Sequence, residues 1–212
     1  MGVLDRLANS LGRNDEQPNI ALAEALAASG DTAAVAELVL ALAGRDRAAA
    51  NNAVKVLYEI GERRPELIAP HAGAFFDALN SGNNRLVWGG LSALAAITAS
   101  RPEAVAVRLP EILVAAGRSS VIAKDRTVAI LATLAAMPDS APDAWTLLLD
   151  ALRTSAANQT PMYAEMALPA APANDPAALA GVIGRRLADI GPPAKRARLE
   201  KVLRKLAAMR AG

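Results

Sequence analysis

Few side chains in this 212-residue sequence are of the types that carry chemistry, and their spacing argues against bond-making. His71 is the single histidine, and there is no cysteine. A serine hydrolase needs a basic side chain beside its nucleophile, and His71 lies among Pro70, Ala72 and Gly73 with no nucleophile at a useful spacing. Absence of cysteine excludes a disulfide, a thiolate nucleophile and a cysteine zinc site, and one histidine removes most other transition-metal sites. Gly89 and Gly90 form no phosphate loop, because a helical pattern surrounds them and both the preceding strand and the following lysine are missing. The expectation is a non-enzyme with no catalytic residue, no metal site and no cofactor.

Two features remain that suit binding. Trp88 is flanked by small residues, and such a tryptophan on a groove can anchor a peptide or a base. Its alternative role is to fill a gap between helices left by Gly89 and Gly90. The second feature is a basic run near the end, Lys195, Arg196, Arg198, Lys201, Arg204, Lys205 and Arg210. Phosphate binding needs several cations on one face, but a terminal helix also needs a polar outer face simply to stay soluble. Residues 178–212 hold nine basic and two acidic groups against fourteen and nineteen in residues 1–177, which is +7 against −5.

The elements that must position these residues recur. Leu91, Leu94 and Ile97 have counterparts 37 residues earlier at Val54, Leu57 and Ile60 and 37 residues later at Val128, Leu131 and Leu134. Pro65 and Pro102 are 37 apart, as are Leu38, Phe75, Ile112 and Leu149 on a second kind of helix. Around this register the chain reads as helices separated by caps and breakers: Gly2 to Gly12, Ile20 to Ser29, Asp31 to Gly44, Asp46 to Gly61, Pro65 to Gly82, Asn83 to Ser100, Pro102 to Gly117 and Ser120 to Met137. Pro142 to Ser155 completes a fourth pair, after which the repeat decays through a helix at Met162 to Leu168, another at Asp175 to Ile190 and a last one with Leu199, Val202, Leu203, Leu206 and Met209 on one apolar face. The leading helix, followed by RNDEQP, reads as loosely attached.

Composition agrees with helices. Apolar residues make up 53% and aromatic ones 3%, with alanine dominant, which suits helices packed closely through small side chains. No apolar run approaches the ~18 residues that span a bilayer, and the start lacks a basic head before an apolar signal core, so a soluble cytoplasmic protein without membrane contact is expected.

A helix pair recurring every ~30 to 50 residues is the pattern of an α-solenoid. The details resemble HEAT repeats: Asp46-Arg47, Asn84-Arg85 and Asp125-Arg126 at the turn and first helical turn, with Ala53, Gly90 and Thr127 at the small-residue step. The resemblance covers about residues 31–137, and it implies an all-α, right-handed superhelix of about five antiparallel helix pairs. Residues 1–17 form a short helix and linker, and 18–212 a single repeat domain closed by a basic capping helix at 192–211. It also implies that the second helix of each pair faces a concave groove, which selects Asn51, Trp88 and Asp125, then Lys55, Ser92 and Ala129 on the next step. The expected partner-binding cluster is Asn51, Lys55, Arg85, Trp88 and Asp125, and the basic patch is Lys195, Arg198, Lys201, Arg204 and Lys205. The function implied is an interaction scaffold for a protein or peptide. The alternative resembles the DNA glycosylases built from HEAT-like repeats, with Trp88 and Asp125 working at a distorted duplex, although Lys55, Arg85 and Lys124 are nearly all the cations the groove offers to phosphates. Oligomeric state is not specified by the sequence.

Overall fold

The structure, a computed structural model, describes residues 2–137, 139 and 141–211, with the backbone alone for 210 and 211. The Arg210 side chain of the basic run and part of the turn after Met137 therefore lie outside what is described. Among the described residues there are twelve α-helices and four 3-10 segments, with no strand. None of these helices is long and apolar enough to cross a membrane. The chain divides into two compact units, Met1–Thr127 and Val128–Gly212.

The first unit contains α1 (Gln17–Ser29), α2 (Thr32–Ala41), α3 (Arg47–Arg63), α4 (Ala72–Ala78), α5 (Asn84–Ile97), α6 (Pro102–Ala106) and α7 (Leu109–Gly117), with the start of α8 (Val121–Ala135). At α2, α3 and α5 a short polar side chain begins the helix by accepting from otherwise unpaired N–H groups. Asp31 accepts from the Ala34 N–H at 2.9 Å, Asp46 from those of Ala48 and Ala49 at 2.8 and 3.0 Å, and Asn83 from that of Arg85 at 3.1 Å. Gly30 ends α1 in the left-handed region, at φ 71°, where a side chain would be strained.

The repeated stripe is the core of this unit. Val54, Leu57, Ile60, Leu91, Leu94 and Ile97 have no exposed surface, and α3 packs on α1, α2 and α5 while α5 packs on α4. Glycine sets how closely the helices approach. A Cβ on Gly89 would stand 2.7 and 2.8 Å from the two methyls of Val54 on α3, and one on Gly90 would stand 2.8 Å from the Phe75 carbonyl oxygen on α4. The space where those Cβ atoms would stand is thus taken by α3 and α4.

Three expectations are corrected here. The helix expected over Pro65 to Gly82 is two 3-10 turns, Pro65–Leu67 and Ala69–His71, followed by the seven residues of α4. The one expected over Pro102 to Gly117 breaks into α6 and α7. In both, a proline within the stretch, Pro70 or Pro110, has no N–H to give and clashes with the carbonyl one turn earlier. The leading helix is a single 3-10 turn, Leu4–Arg6, because the Asn19 side chain takes the Ala8 N–H at 3.0 Å and the Ser10 hydroxyl donates to the Leu4 carbonyl at 2.8 Å. Nor is this segment loose, since Val3, Leu7 and Ala8 are buried, and of Val3, Leu4, Leu7 and Leu11, which share one face at helical spacing, only Leu11 is exposed.

The second unit takes up the rest of α8, then α9 (Ala144–Thr154), α10 (Thr160–Ala167), a 3-10 segment Leu168–Ala173, α11 (Pro176–Leu187) and α12 (Pro193–Ala211). Val128, Leu131 and Leu134 continue the stripe and are buried. Leu199, Val202 and Leu206 of α12 are buried where it packs on α10 and α11, whereas Met209 is 43% exposed and Leu203 half-buried. The expected apolar face of α12 therefore ends one turn early.

In both units a polar side chain about one repeat downstream closes the open carbonyls at a helix C-terminus. Arg64 donates to the Ala27 carbonyl at 2.8 Å and Arg118 to the Leu79 carbonyl at 2.8 Å. Asn174 donates to the Ala135 carbonyl at 2.7 Å, and Arg186 to the Ser155 carbonyl at 2.6 Å.

Candidate functional site

The helical spacing of three to four residues puts Asn51, Lys55, Tyr58 and Glu59 along one side of α3, and Arg85, Trp88 and Ser92 along one side of α5. Across these two helices lies a cluster of charged and aromatic side chains. Lys55 Nζ donates to Glu59 at 2.7 Å, Glu59 accepts from Arg63 at 2.6 Å, and Arg63 reaches Glu24 at 3.2 Å. Tyr58 and Trp88 stack at a tilt, with ring centroids 5.8 Å apart and planes at 52°. Lys55 Nζ stands 4.8 Å from the Tyr58 ring centroid, and the Arg85 guanidinium carbon 5.7 Å from that of Trp88, both within cation–π range.

One member of the cluster arrives from the leading segment. Glu16, the residue at the start of α1, pairs with Arg85 through one carboxylate oxygen and with Lys55 through the other, the latter at 3.1 Å. Burial by itself would lower the Lys55 pKa, but hydrogen bonds to Glu59, Tyr58 and Glu16 outweigh it and push the ammonium above the ordinary lysine value. Burial would likewise raise the Glu59 and Glu16 carboxyls. The hydrogen bonds from Lys55 and Arg63 to Glu59, and from Lys55 and Arg85 to Glu16, prevail and hold both below the usual carboxylate range. The Tyr58 hydroxyl is raised by burial, which Lys55 offsets only in part.

Beside Glu16 the surface opens into a polar cleft of about 420 Å³, lined by Asn9, Arg13, Asp15, Asn51, Asn52 and Arg85 among others. Asparagines bridge the helices along its edge: Asn19 donates to Asn52 at 2.5 Å, and Asn83 to Asn51 at 2.7 Å. Of the described side chains that line it, Asn9 Oδ1 and Arg85 Nε are buried with no hydrogen-bond partner.

The expected cluster is thus partly assembled. Lys55, Arg85 and Trp88 come together, with Trp88 and Arg85 half-buried at the surface. Lys55 is not on an open groove wall: it is 7% exposed, because Glu59 and Glu16 both draw its head inward. Asn51 is half-buried and tied to Asn83. Ser92 is buried and donates to the Trp88 carbonyl at 2.9 Å. Asp125 lies half-buried one turn inside α8, which begins at Val121, so Asp125-Arg126 is not at a turn as the repeat pattern implied. It has interactions of its own.

Sequence reasoning missed Glu16, Tyr58 and Glu59. For the last two the signal was present, since Tyr58 and Glu59 are three and four residues from Lys55 and Arg63 is four from Glu59.

The basic patch also separates into two groups. Lys195 is hydrogen-bonded to Asn158, Arg196 donates to the Leu187 carbonyl at 3.0 Å, and Arg198 grips Glu165 with two bonds at 2.8 and 2.6 Å. Lys201, Arg204 and Lys205 are exposed. The Arg198 bond, partly opposed by burial, holds the Glu165 carboxyl low, with a smaller contribution from the charges of Lys201 and Lys205.

No family model matches the chain, and no curated protein matches it. Solved structures do. A designed armadillo repeat protein aligns over 96% of this chain and 99% of its own, at 16% identity and a TM-score of 0.59. An engineered protein aligns over 99% and 98%, at 19% identity and 0.57. The archaeal HEAT-like repeats protein from Thermococcus onnurineus NA1 aligns over 90% and 93%, at 18% identity and 0.53. Together with helices that recur on a 37-residue register and no strand among the described residues, these likenesses identify the chain as an all-α solenoid with the HEAT/armadillo type of helical repeat.

Proposed function

We propose that this protein is a non-enzymatic scaffold that binds a protein or peptide segment across α3 and α5, with Trp88 as the apolar contact. The observation that carries this reading is the half-buried Trp88, stacked on Tyr58 and flanked by Arg85, next to a cleft large enough for several side chains. Aromatic and arginine side chains contribute most to binding where a pocket shields them from water, and here both occur side by side. A fold shared with a designed armadillo repeat protein and a HEAT-like repeats protein supports a scaffold.

The test is Trp88→Ala, measured for partner capture and for thermal unfolding. Capture weakens by about 2 kcal/mol or more while the melting temperature stays near that of the parent, because a half-exposed anchor contributes more to binding than to packing. Unfolding of the variant, or unchanged capture, would overturn the assignment.

The alternative, nucleic acid bound at α12, rests on Lys201, Arg204 and Lys205. It is less well supported, since Lys195, Arg196 and Arg198 are engaged in bonds within the second unit. If it holds, replacing the three exposed cations removes a strongly salt-dependent binding that Trp88→Ala spares.

A further inference from the structure

The Arg85 guanidinium is only half used. Its Nη2 donates to Glu16, but its Nε is buried without a partner among the described residues. A guanidinium offers Nε and Nη2 as a parallel pair that a carboxylate fills with two bonds, as Glu165 does for Arg198 elsewhere in this chain. Glu16 cannot fill that pair as it lies, because its second oxygen is turned to Lys55.

Lys55, for its part, keeps a carboxylate partner when Glu16 turns away. Glu59 already neutralises it at 2.7 Å from the same helix. The side chain of Glu16 is 42% exposed, while the leading segment that carries it is fixed by buried Val3, Leu7 and Ala8. A rotation of the Glu16 side chain alone would clear the guanidinium without unfolding the segment. What remains is a cation facing a polar cleft, with an aromatic surface beside it.

We infer that Glu16 is a built-in occupant of the partner site, standing in for a glutamate side chain of an acidic peptide that displaces it and takes Arg85 Nε and Nη2 together. This deepens the proposed function and rests on it. Charge complementarity selects the occupant: with Glu16 turned away, Lys55, Arg63 and Arg85 stand against Glu59 and Glu24, an excess of one positive charge. A partner that must first displace Glu16 binds with its intrinsic affinity reduced by the fraction of molecules in which Glu16 is already turned away.

The experiment uses the full chain and dye-labelled, C-terminally amidated peptides of alternating Glu and Ala, with Gln-Ala, Lys-Ala and Leu-Ala counterparts, read by fluorescence anisotropy. Glu16→Gln is expected to bind the Glu-Ala peptide about tenfold tighter than the parent, and Arg85→Met to abolish that binding in both backgrounds. The Gln-Ala peptide shows no such gain. Should Glu16→Gln fail to fold, Glu16→Asp, whose carboxylate is withdrawn by one methylene, is read in the same way. Equal or weaker binding of the Glu-Ala peptide by the folded variant overturns the inference. If another peptide of the panel then binds in a Trp88-dependent manner, the scaffold reading survives without the carboxylate. If no peptide of any charge binds in a Trp88-dependent manner, both readings fall.

Discussion

The two units of this protein meet the same requirement, burial of an apolar helix stripe, by different means. In Met1–Thr127 the helices approach until backbone nearly touches side chain: Gly61, Gly89 and Gly90 stand where a Cβ would come within 3.0 Å of Ile68 and Ala96, of Val54, and of the Phe75 carbonyl oxygen, respectively. In Val128–Gly212 the mid-helix glycines do nothing of the kind. A Cβ on Gly184 would meet nothing within 4 Å, and one on Gly181 only the end of the Arg185 side chain. Ion pairs differ in the same sense. Lys55 and Glu59 form a largely buried pair, with side chains 8% and 13% exposed, whereas Arg198 and Glu165 are 47% and 43% exposed. The strict 37-residue register thus goes with close helix packing that cannot tolerate change. Where the register decays, that close approach is absent at the mid-helix glycines, and the side chains that reach helix ends, a device both units share, do not demand fixed spacing.

This contrast can be broken most easily at the apolar stripes. Leu94, with no exposed surface, is expected to cost about 2 to 5 kcal/mol when replaced by alanine, and Met209→Ala at the edge of α12 less than about 0.5 kcal/mol. Denaturant titration of both checks it, and a cost below about 1 kcal/mol at Leu94 would mean that close packing in the first unit is not what stabilises it.

Next in size come the ion pairs. Lys55→Met leaves the shielded Glu59 carboxylate without its ammonium and is expected to cost about 2 to 3 kcal/mol, while Arg198→Met costs less than about 1 kcal/mol in the second unit. The first effect depends on pH. Glu59 and Glu16 titrate below their unfolded values, so the stability they contribute is complete above the ordinary glutamate pKa of about 4.3 and is lost as pH falls through their lowered folded values. Melting temperatures taken between neutral and acid pH should fall less steeply in Lys55→Met than in the parent. An equal fall in the two would show that the buried pair does not couple to titration.

The smallest effects sharpen the comparison through their signs. Gly90→Ala forces a methyl against a carbonyl, and the strain of overpacking exceeds the gain of up to about 1 kcal/mol in helix propensity, for a net loss of about 1 to 2 kcal/mol. Gly184→Ala meets open space and gains the propensity, about 0.5 to 1 kcal/mol of added stability. Thermal melts showing the same sign at both positions would remove the distinction between the units.

The sequence specifies much of this because local rules act within a few residues. Asp31, Asp46 and Asp175 precede helix starts and accept the expected backbone bonds. Gly89 and Gly90 mark close approach, as their cost in a helix suggests. Pro70 and Pro110 were equally visible, but a proline within a turn of a helix start is tolerated or disruptive according to which carbonyl it faces, and only the fold decides that. The site was half apparent for a related reason. Asn51, Lys55, Arg85 and Trp88 lie at helical spacing, so their shared side of α3 and α5 follows from the register. Glu16 is 39 residues from Lys55 and 69 from Arg85, outside the repeat and joined to it by no periodicity. Its position depends on how Leu7 and Asn19 dock the leading segment, a tertiary fact.

The enclosure of Lys55 also sets the chemical reactivity of the chain's amines. Of its five lysines, Lys124, Lys201 and Lys205 are exposed and Lys195 half-buried, while Lys55 is shielded and held protonated by its carboxylate neighbours. Acylating reagents need a free amine lone pair, so under mild conditions they will modify the other four and pass over this one. Slow labelling at Lys55 would then report the joint opening of its contacts with Glu59 and Glu16, read by mass spectrometry without any ligand in hand.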